Sequence, residues 1–412
     1  MKMASRWQAW ALVPAILVSS LSAAVARSRG PVEAIQAESD IPEERLLDVG
    51  IEVFDPGLPD EDEDALEKKG IFAAVRKSEA RYIPFQLKDT LEGTGQWGAV
   101  RVVPPGSRTA DVTVSGKIIH STGLELELRI LVVDARGRRW WRERKYKEEA
   151  DPEAYDPENL EQADPYQGLY NRIANDMLSS RERLYDEDIQ TIRRITRLRF
   201  DKDLAPAAFR DYLRVNKKGR YTIVKLPAAD APMVARMEAI RDRDDMFIDT
   251  LNEYYADFHT NMREHYDGWR QFSFEEESAL REVRRKARRR KILGGLLIFT
   301  GVVLDTSDSP VGGLGDAAII GGVAVIQNGV QKAKEAKIHV DAMQELAASF
   351  DSEISPVLVR VQGKTLKLQG SAEAQYAEWR DLLRQIFATE TGLPVNPNDD
   401  DTTAASGRTE VD

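Results

Sequence analysis

Residues 284–330 constrain this chain more than any other stretch. A basic run, Arg284-Arg285-Lys286-Ala287-Arg288-Arg289-Arg290-Lys291, passes without a break into two glycine-studded apolar segments, residues 292–304 and 311–326, joined by the polar turn 305–310. Gly294 and Gly301 stand seven residues apart in the first arm, and Gly315, Gly322 and Gly329 repeat at the same step in and after the second. That step keeps the glycines near one helix face, where a missing side chain lets two backbones approach, and Ala318 to Gly322 adds a small-xxx-small step. Each glycine costs a helix about 1 kcal/mol relative to alanine, so the arms are expected to pack on one another.

Neither arm reaches across about 30 Å of hydrocarbon at about 1.5 Å per residue, and Asp316 sits inside the second. Three readings stand for the segment: a membrane-inserted or re-entrant hairpin, a hairpin buried in the helical domain, or an oligomer interface. The basic run reads either as a solvated helix face or as a contact for an anionic membrane surface. Eight Lys or Arg residues lie between Arg281 and Lys291, and each is worth about 1 kcal/mol beside anionic headgroups.

The first residues have the layout of an export signal: Lys2 and Arg6, an apolar stretch over 11–18, and the small-x-small site Ala24-Val25-Ala26. Cleavage after Ala26 is expected. The other reading is an uncleaved anchor, although the apolar stretch falls short of the about 20 residues a span needs. There is no cysteine, so neither a disulfide framework nor a lipid-modified cysteine applies. Loss of Lys2 and Arg6 with the signal shifts the formal charge from −11 to −13, which argues against nucleic-acid binding.

The fold class expected is α+β. After the signal (1–26) comes a flexible segment (27–45). An α/β domain (46–150) follows, with a first strand over 46–54, two helical pieces over 71–93 divided by Pro84, and strands over 97–103, 110–120, 124–134 and 139–146. A linker rich in Pro, Asp and Glu (151–167) leads to a helical region (168–291). One long helix starts at Met233, with Met237, Ile240, Phe247, Leu251, Tyr254, Phe258, Met262 and Trp269 on its apolar face. Gly268 is expected to loosen its end, and Ser273 to cap a new helix. Residues 221–226 are expected to form one short strand. The glycine-rich hairpin (292–330), a helix with a small ββα unit (331–390) and a disordered tail (391–412) complete the chain.

Within 46–150 the strand ending in Val102-Val103-Pro104, the strand Ala110-Asp111-Val112-Thr113-Val114-Ser115-Gly116-Lys117-Ile118, Leu128-Arg129-Ile130-Leu131-Val132-Val133-Asp134 and Gly137-Arg138-Arg139-Trp140-Trp141 carry a resemblance. Their order is similar to the small α/β domain of bacterial envelope-assembly proteins, namely the amino-terminal domain of the Tol-system translocation protein, the curli secretion lipoprotein and the penicillin-binding-protein activator lipoproteins. The resemblance implies a non-catalytic docking module in the periplasm and offers no active-site residues. This chain departs from the lipoproteins in lacking the acylated cysteine. Residues 354–388 resemble half of the phospholipid-associated BON domain.

Signatures of chemistry are sparse. His259 and His265 lie six apart on one helix and fall on different faces, no metal-ligand spacing occurs, and His120 and His339 read as surface or boundary residues. Asp244 and Asp245, beside Arg241 and Arg243, read as surface ion-pair partners. Gly312-Gly313-Leu314-Gly315 lacks the lysine of a phosphate loop. Trp140 and Trp141 are a possible docking pair, although alternation in a strand sends one of them inward. No catalytic, cofactor or metal residues emerge.

The leading expectation is a non-enzymatic exported protein, periplasmic and in contact with a membrane, that supports envelope assembly or secretion through other envelope proteins and through possible self-association. The alternatives are a membrane-active or pore-forming protein oligomerising through the glycine-rich hairpin, and a periplasmic hydrolase whose site sequence spacing misses.

Overall fold

The computed structural model describes residues 32–107, 109–228, 230–293, 337–348, 358–361, 364–368 and 370–392. Residues 1–31, on which the expected signal peptide falls, residues 294–336, which hold Gly294, Gly301, Gly315, Gly322 and Gly329 of the expected hairpin, and most of the tail lie outside the described residues.

The architecture is α+β. β1 (Val49–Glu52) sits between β2 (Val100–Val103) and β3 (Val112–Ser121) and runs parallel to both; β4 (Glu125–Asp134) and β5 (Arg144–Glu149) continue antiparallel, giving the order β2-β1-β3-β4-β5. The period-2 alternation of β4 buries Leu126, Leu128, Ile130 and Val132 on one face, which aligns Leu128 with Tyr146 of β5. The last strand begins at Arg144, later than its sequence pattern predicts, because Arg139 and Trp140 pair with the end of β4 across a turn and residues 141–143 leave the ladder.

After a short helix α1 (Glu63–Lys68), α2 (Ala73–Gly93) lies on the sheet and is continuous, where the sequence predicts a break at Pro84. Proline removes one amide from the helix ladder and so releases the carbonyl four residues before it. That carbonyl, of Ala80, accepts instead from the backbone N–H of Phe54 at 2.9 Å. A tertiary bond thus replaces the lost helical one, and the helix continues where the sequence predicts two pieces.

The predicted linker 151–167 is ordered. It holds a 3-10 turn (Pro152–Tyr155) and α3 (Pro157–Gln162), each opened by a proline in its first turn, and it buries Tyr155 and Tyr166. Residues from 32 onward in the predicted flexible segment are also tied down. Asn171 and Asn175 of α4 (Gln167–Arg181) donate to the carbonyls of Val32 and Glu33 at 2.7 and 2.9 Å. Neither contact has periodicity, so neither is visible in the sequence.

α5 (Asp186–Leu204) and α6 (Pro206–Phe209) precede a two-stranded antiparallel hairpin, β6 (Leu213–Val215) with β7 (Tyr221–Ile223), where the sequence predicts one strand. α7 (Pro232–Leu293) is 62 residues long and passes through Gly268 and Ser273 without a break. Gly268 serves a contact rather than an end: a Cβ there would stand 2.6 Å from the ring of His339, on the next helix, α8 (337–348). Ser273 does not cap a helix; its hydroxyl accepts from the backbone N–H of Gly123 at 3.0 Å.

The predicted ββα unit is present as β8 (Leu358–Val361), β9 (Lys364–Lys367) and α9 (Ala372–Thr391), with Ser371 at the N-cap and Gly392 left-handed at the C-terminus. Its helix lies against α7 and α5 rather than standing apart. Asp244 of α7, predicted to be a surface ion-pair partner, is fully buried at this junction and accepts from Trp379 Nε1 at 3.1 Å and Arg380 Nη1 at 3.3 Å. Among the described residues, no helix is long and apolar enough to cross a membrane.

Candidate functional site

Where α7 leaves the body, its apolar face ends on a charge. Arg270 lies one helical step beyond Tyr266 on the buried stripe and is 1% exposed. Its guanidinium donates to Asp164 at 2.8 Å and to Asp267, and its plane faces Tyr266, with 4.2 Å from Cζ to the ring centroid. Tyr82 of α2 and Tyr166 stand about it at 6.0 and 5.9 Å. Burial alone would weaken protonation of Arg270, but Asp164 and its neighbours outweigh it, and the group stays charged with its pKa well above the usual arginine range.

Gly123, in the turn from β3 to β4, makes this arrangement possible. A Cβ at that position would collide with the carbonyl of Arg270 and the amide of Phe274, so only glycine lets the turn meet the helix backbone. Tyr166 donates to the carbonyl of Thr122 at 2.5 Å, and Tyr155 donates to that of Gly123. The otherwise unpaired carbonyls of a buried turn are thereby satisfied.

Behind this cluster Glu79 of α2 is fully buried, and burial raises its carboxyl above the usual range. Ser121 and Tyr266 donate to the same oxygen of Glu79 at 2.5 and 2.8 Å, and Arg76 lies 3.8 Å from the other. In front of it is a polar cavity of about 200 Å³ bordered by Tyr82, Gln86, Asp89, His259, Arg263 and Asp267. His259 stacks on Tyr82 with 4.2 Å between centroids and shares a hydrogen bond with Gln86 at 3.1 Å. Burial depresses its pKa to about 4.

This network holds elements together: each charge has an opposite charge or a donor facing it. Arg270 with two carboxylates is a clamp between α7 and α4's leading loop, with Tyr82 of α2 6.0 Å from its guanidinium. Among the described residues, no group of three His, Asp or Glu side chains converges as metal ligands do.

The residues singled out from sequence lie elsewhere. Arg284, Arg285, Lys286, Arg288, Arg289, Arg290 and Lys291 all belong to the last turns of α7, where helix-dipole charge favours cations; their side chains lie outside the described set, as do the five hairpin glycines. Trp140 and Trp141 are both half-buried. Trp140 stacks at 6.0 Å on Trp97, while Trp141 donates to the carbonyl of Ile130 at 3.4 Å and carries Arg144 over its ring at 5.0 Å.

Arg270, Glu79 and the buried role of Asp244 were missed in the sequence. A signal did exist. Asp244 falls four residues after Ile240, and Arg270 four after Tyr266, so each charged residue occupies a position of the apolar stripe.

From Gln271 to Glu282 no residue of α7 is buried; Ser273 meets the amide of Gly123, the ring of Phe274 lies 5.0 Å from that of Tyr155, and Arg281 binds Glu125 at 3.0 Å and Glu149 at 3.1 Å. The helix then continues to Leu293, about 35 Å beyond Arg270 at 1.5 Å per residue. α8 returns beside the body, with Met343 fully buried and its carbonyl accepting from Ser78 at 3.4 Å. No family model, curated protein or solved structure matches this chain.

Proposed function

We propose that this chain is a non-enzymatic exported protein that supports envelope assembly or secretion by docking other proteins and touching a membrane. The observation that carries the reading is the course of α7. The helix is clamped at Arg270, leaves the body, and brings a run of seven cations to an end that continues directly into the glycine-rich apolar segment. A helix of that stiffness carries its last turns, to Leu293, away from the core that Arg270 closes. Anionic headgroups attract such a run at about 1 kcal/mol per cation, and the apolar arms beyond it supply the surface that prefers hydrocarbon.

The experiment is flotation of the full chain with vesicles of phosphatidylcholine alone and of phosphatidylcholine mixed with phosphatidylglycerol, beside fractionation of envelopes. Replacing Arg284, Arg285, Lys286, Arg288, Arg289, Arg290 and Lys291 by Gln is expected to lower binding to the anionic vesicles by at least about tenfold. Deleting residues 294–330 is expected to shift the protein from the membrane to the soluble fraction. Equal flotation of parent and Gln variant, together with no envelope protein captured by crosslinking, removes both supports of the reading.

A further inference from the structure

The strongest unassigned surface is the β6–β7 hairpin. Its turn is rigid: Asn216 Oδ1 accepts from the amides of Lys218 and Arg220 at 2.8 and 3.1 Å, and the amide of Gly219 donates to the carbonyl of Asn216 at 2.9 Å. The inner side is fixed to the body, with Leu213 buried and the amide of Tyr221 donating to the carbonyl of Arg136 at 2.9 Å. The outer side presents Arg214, Lys217, Lys218, Arg220 and Lys225, all exposed, and among the described residues no carboxylate pairs with any of them.

Residues 210–226 hold six basic side chains and one acid, Asp211, a net charge of +5 by count, in a chain whose formal charge is −11. Beside these cations stand Val215, Val224 and Leu226, which are 40%, 52% and 51% exposed. Three exposed aliphatic side chains grouped among cations suit a lipid interface, with headgroups at the cations and hydrocarbon below. The two aromatic rings here are already covered, Tyr212 by Lys225 at 4.6 Å and Tyr221 by Arg199 at 4.7 Å, so no platform is open for stacking nucleic-acid bases.

We infer that the β6–β7 hairpin is a second contact for an anionic lipid surface, at the pole of the molecule opposite the basic end of α7. The separation follows from β4. Arg281 of α7 is bound to Glu125 at its start, while Arg136, just past its end, holds Tyr221 of the hairpin. Ten strand residues place about 30 Å between those points. The basic run of α7 continues beyond Arg281, so the two cationic surfaces point to different bilayers or to distant parts of one. Bridging two bilayers rests on the reading of the α7 run given above; the lipid contact of the hairpin does not.

Four full-length proteins test this: the parent, the α7 Gln variant, R214Q/K217Q/K218Q/R220Q/K225Q, and the two sets combined. All five hairpin positions are exposed, and unchanged melting curves serve as the control for folding. With the α7 run neutralised, binding to phosphatidylglycerol-containing vesicles is expected to persist and to fall at least about tenfold when the hairpin charges are also removed. V224S/L226S is expected to weaken it severalfold, and clustering of vesicles, read by light scattering, is expected only where both surfaces are intact. If removing the hairpin charges leaves vesicle binding unchanged, or if V224S/L226S has no effect while an acidic polypeptide competes, the inference is overturned. Failure of the α7 reading looks different: the α7 Gln variant then binds like the parent while the hairpin variant loses binding.

Discussion

Arg270 shows how one side chain can decide where a helix stops belonging to the core. Its charge is out of water and balanced by Asp164 and Asp267, so removing it leaves two carboxylates facing tyrosine rings. Arg270→Met is expected to destabilise the chain by about 3–5 kcal/mol in urea unfolding, the cost of breaking a buried pair from one side. His259 gives a separate handle through pH. Its folded pKa of about 4 lies below the ordinary 6.5, so the stability it contributes is whole above pH 6.5 and is lost as pH falls through about 4. His259→Gln keeps an amide beside Gln86 and removes that titration. Its Tm is expected to fall less than the parent's between pH 6.5 and 4, and parallel curves would falsify the assignment. Asp111 works in the opposite sense, since burial raises its carboxyl to about 6; its contribution is whole below about pH 4 and is lost as pH rises through 6.

At the scale of elements, close approach and exchanged hydrogen bonds matter more than local propensity. α2 survives Pro84 because β1's end supplies the donor that the helix lost, and α7 survives Gly268 because α8 fills the space. Gly268→Ala is therefore expected to leave the helicity of α7 intact while loosening α8, seen as faster cleavage after Lys337 in limited proteolysis. Asp244→Ala strips the acceptor from Trp379 and one partner from Arg380, while Asp203 keeps its 2.6 Å bond to that arginine. The expected cost is about 2–3 kcal/mol, with early proteolytic release of α9, because one buried acceptor is lost but the guanidinium is not left wholly unpaired.

For the whole molecule, the consequence is an uneven distribution of stability along a single helix. Residues 237–270 of α7 contribute Met237, Ile240, Phe247, Ile248, Leu251, Tyr255, Phe258, Met262, Tyr266 and Trp269 to the core, whereas 271–282 contribute no buried side chain. Hydrogen exchange is expected to be slow through the first stretch and to rise after Arg270, with the contacts of Ser273, Phe274 and Arg281 slowing it locally. Uniform protection to Leu293 would mean that the arm is covered by something other than the body.

Much of the architecture was legible because it is periodic. Alternation in β3 and β4, the three- and four-residue steps of α7, and the Ser371 and Gly392 caps of α9 are local consequences of backbone geometry, and they determined the α+β class and the ββα unit. The same pattern carried the position of Arg270 on the apolar stripe, but not its partners, since Asp164 lies 106 residues away in a segment that reads as linker. What only the tertiary structure decided is where irregular chain becomes fixed: residues 32–37 across α4, Tyr155 and Tyr166 under the β3–β4 turn, and the β6–β7 hairpin on Arg136. Those segments are ordered by hydrogen bonds between groups distant in sequence, side chain to backbone at residues 32–37 and the β3–β4 turn and from the amide of Tyr221 at the hairpin, and such bonds depend on which surfaces meet rather than on any repeat within the sequence.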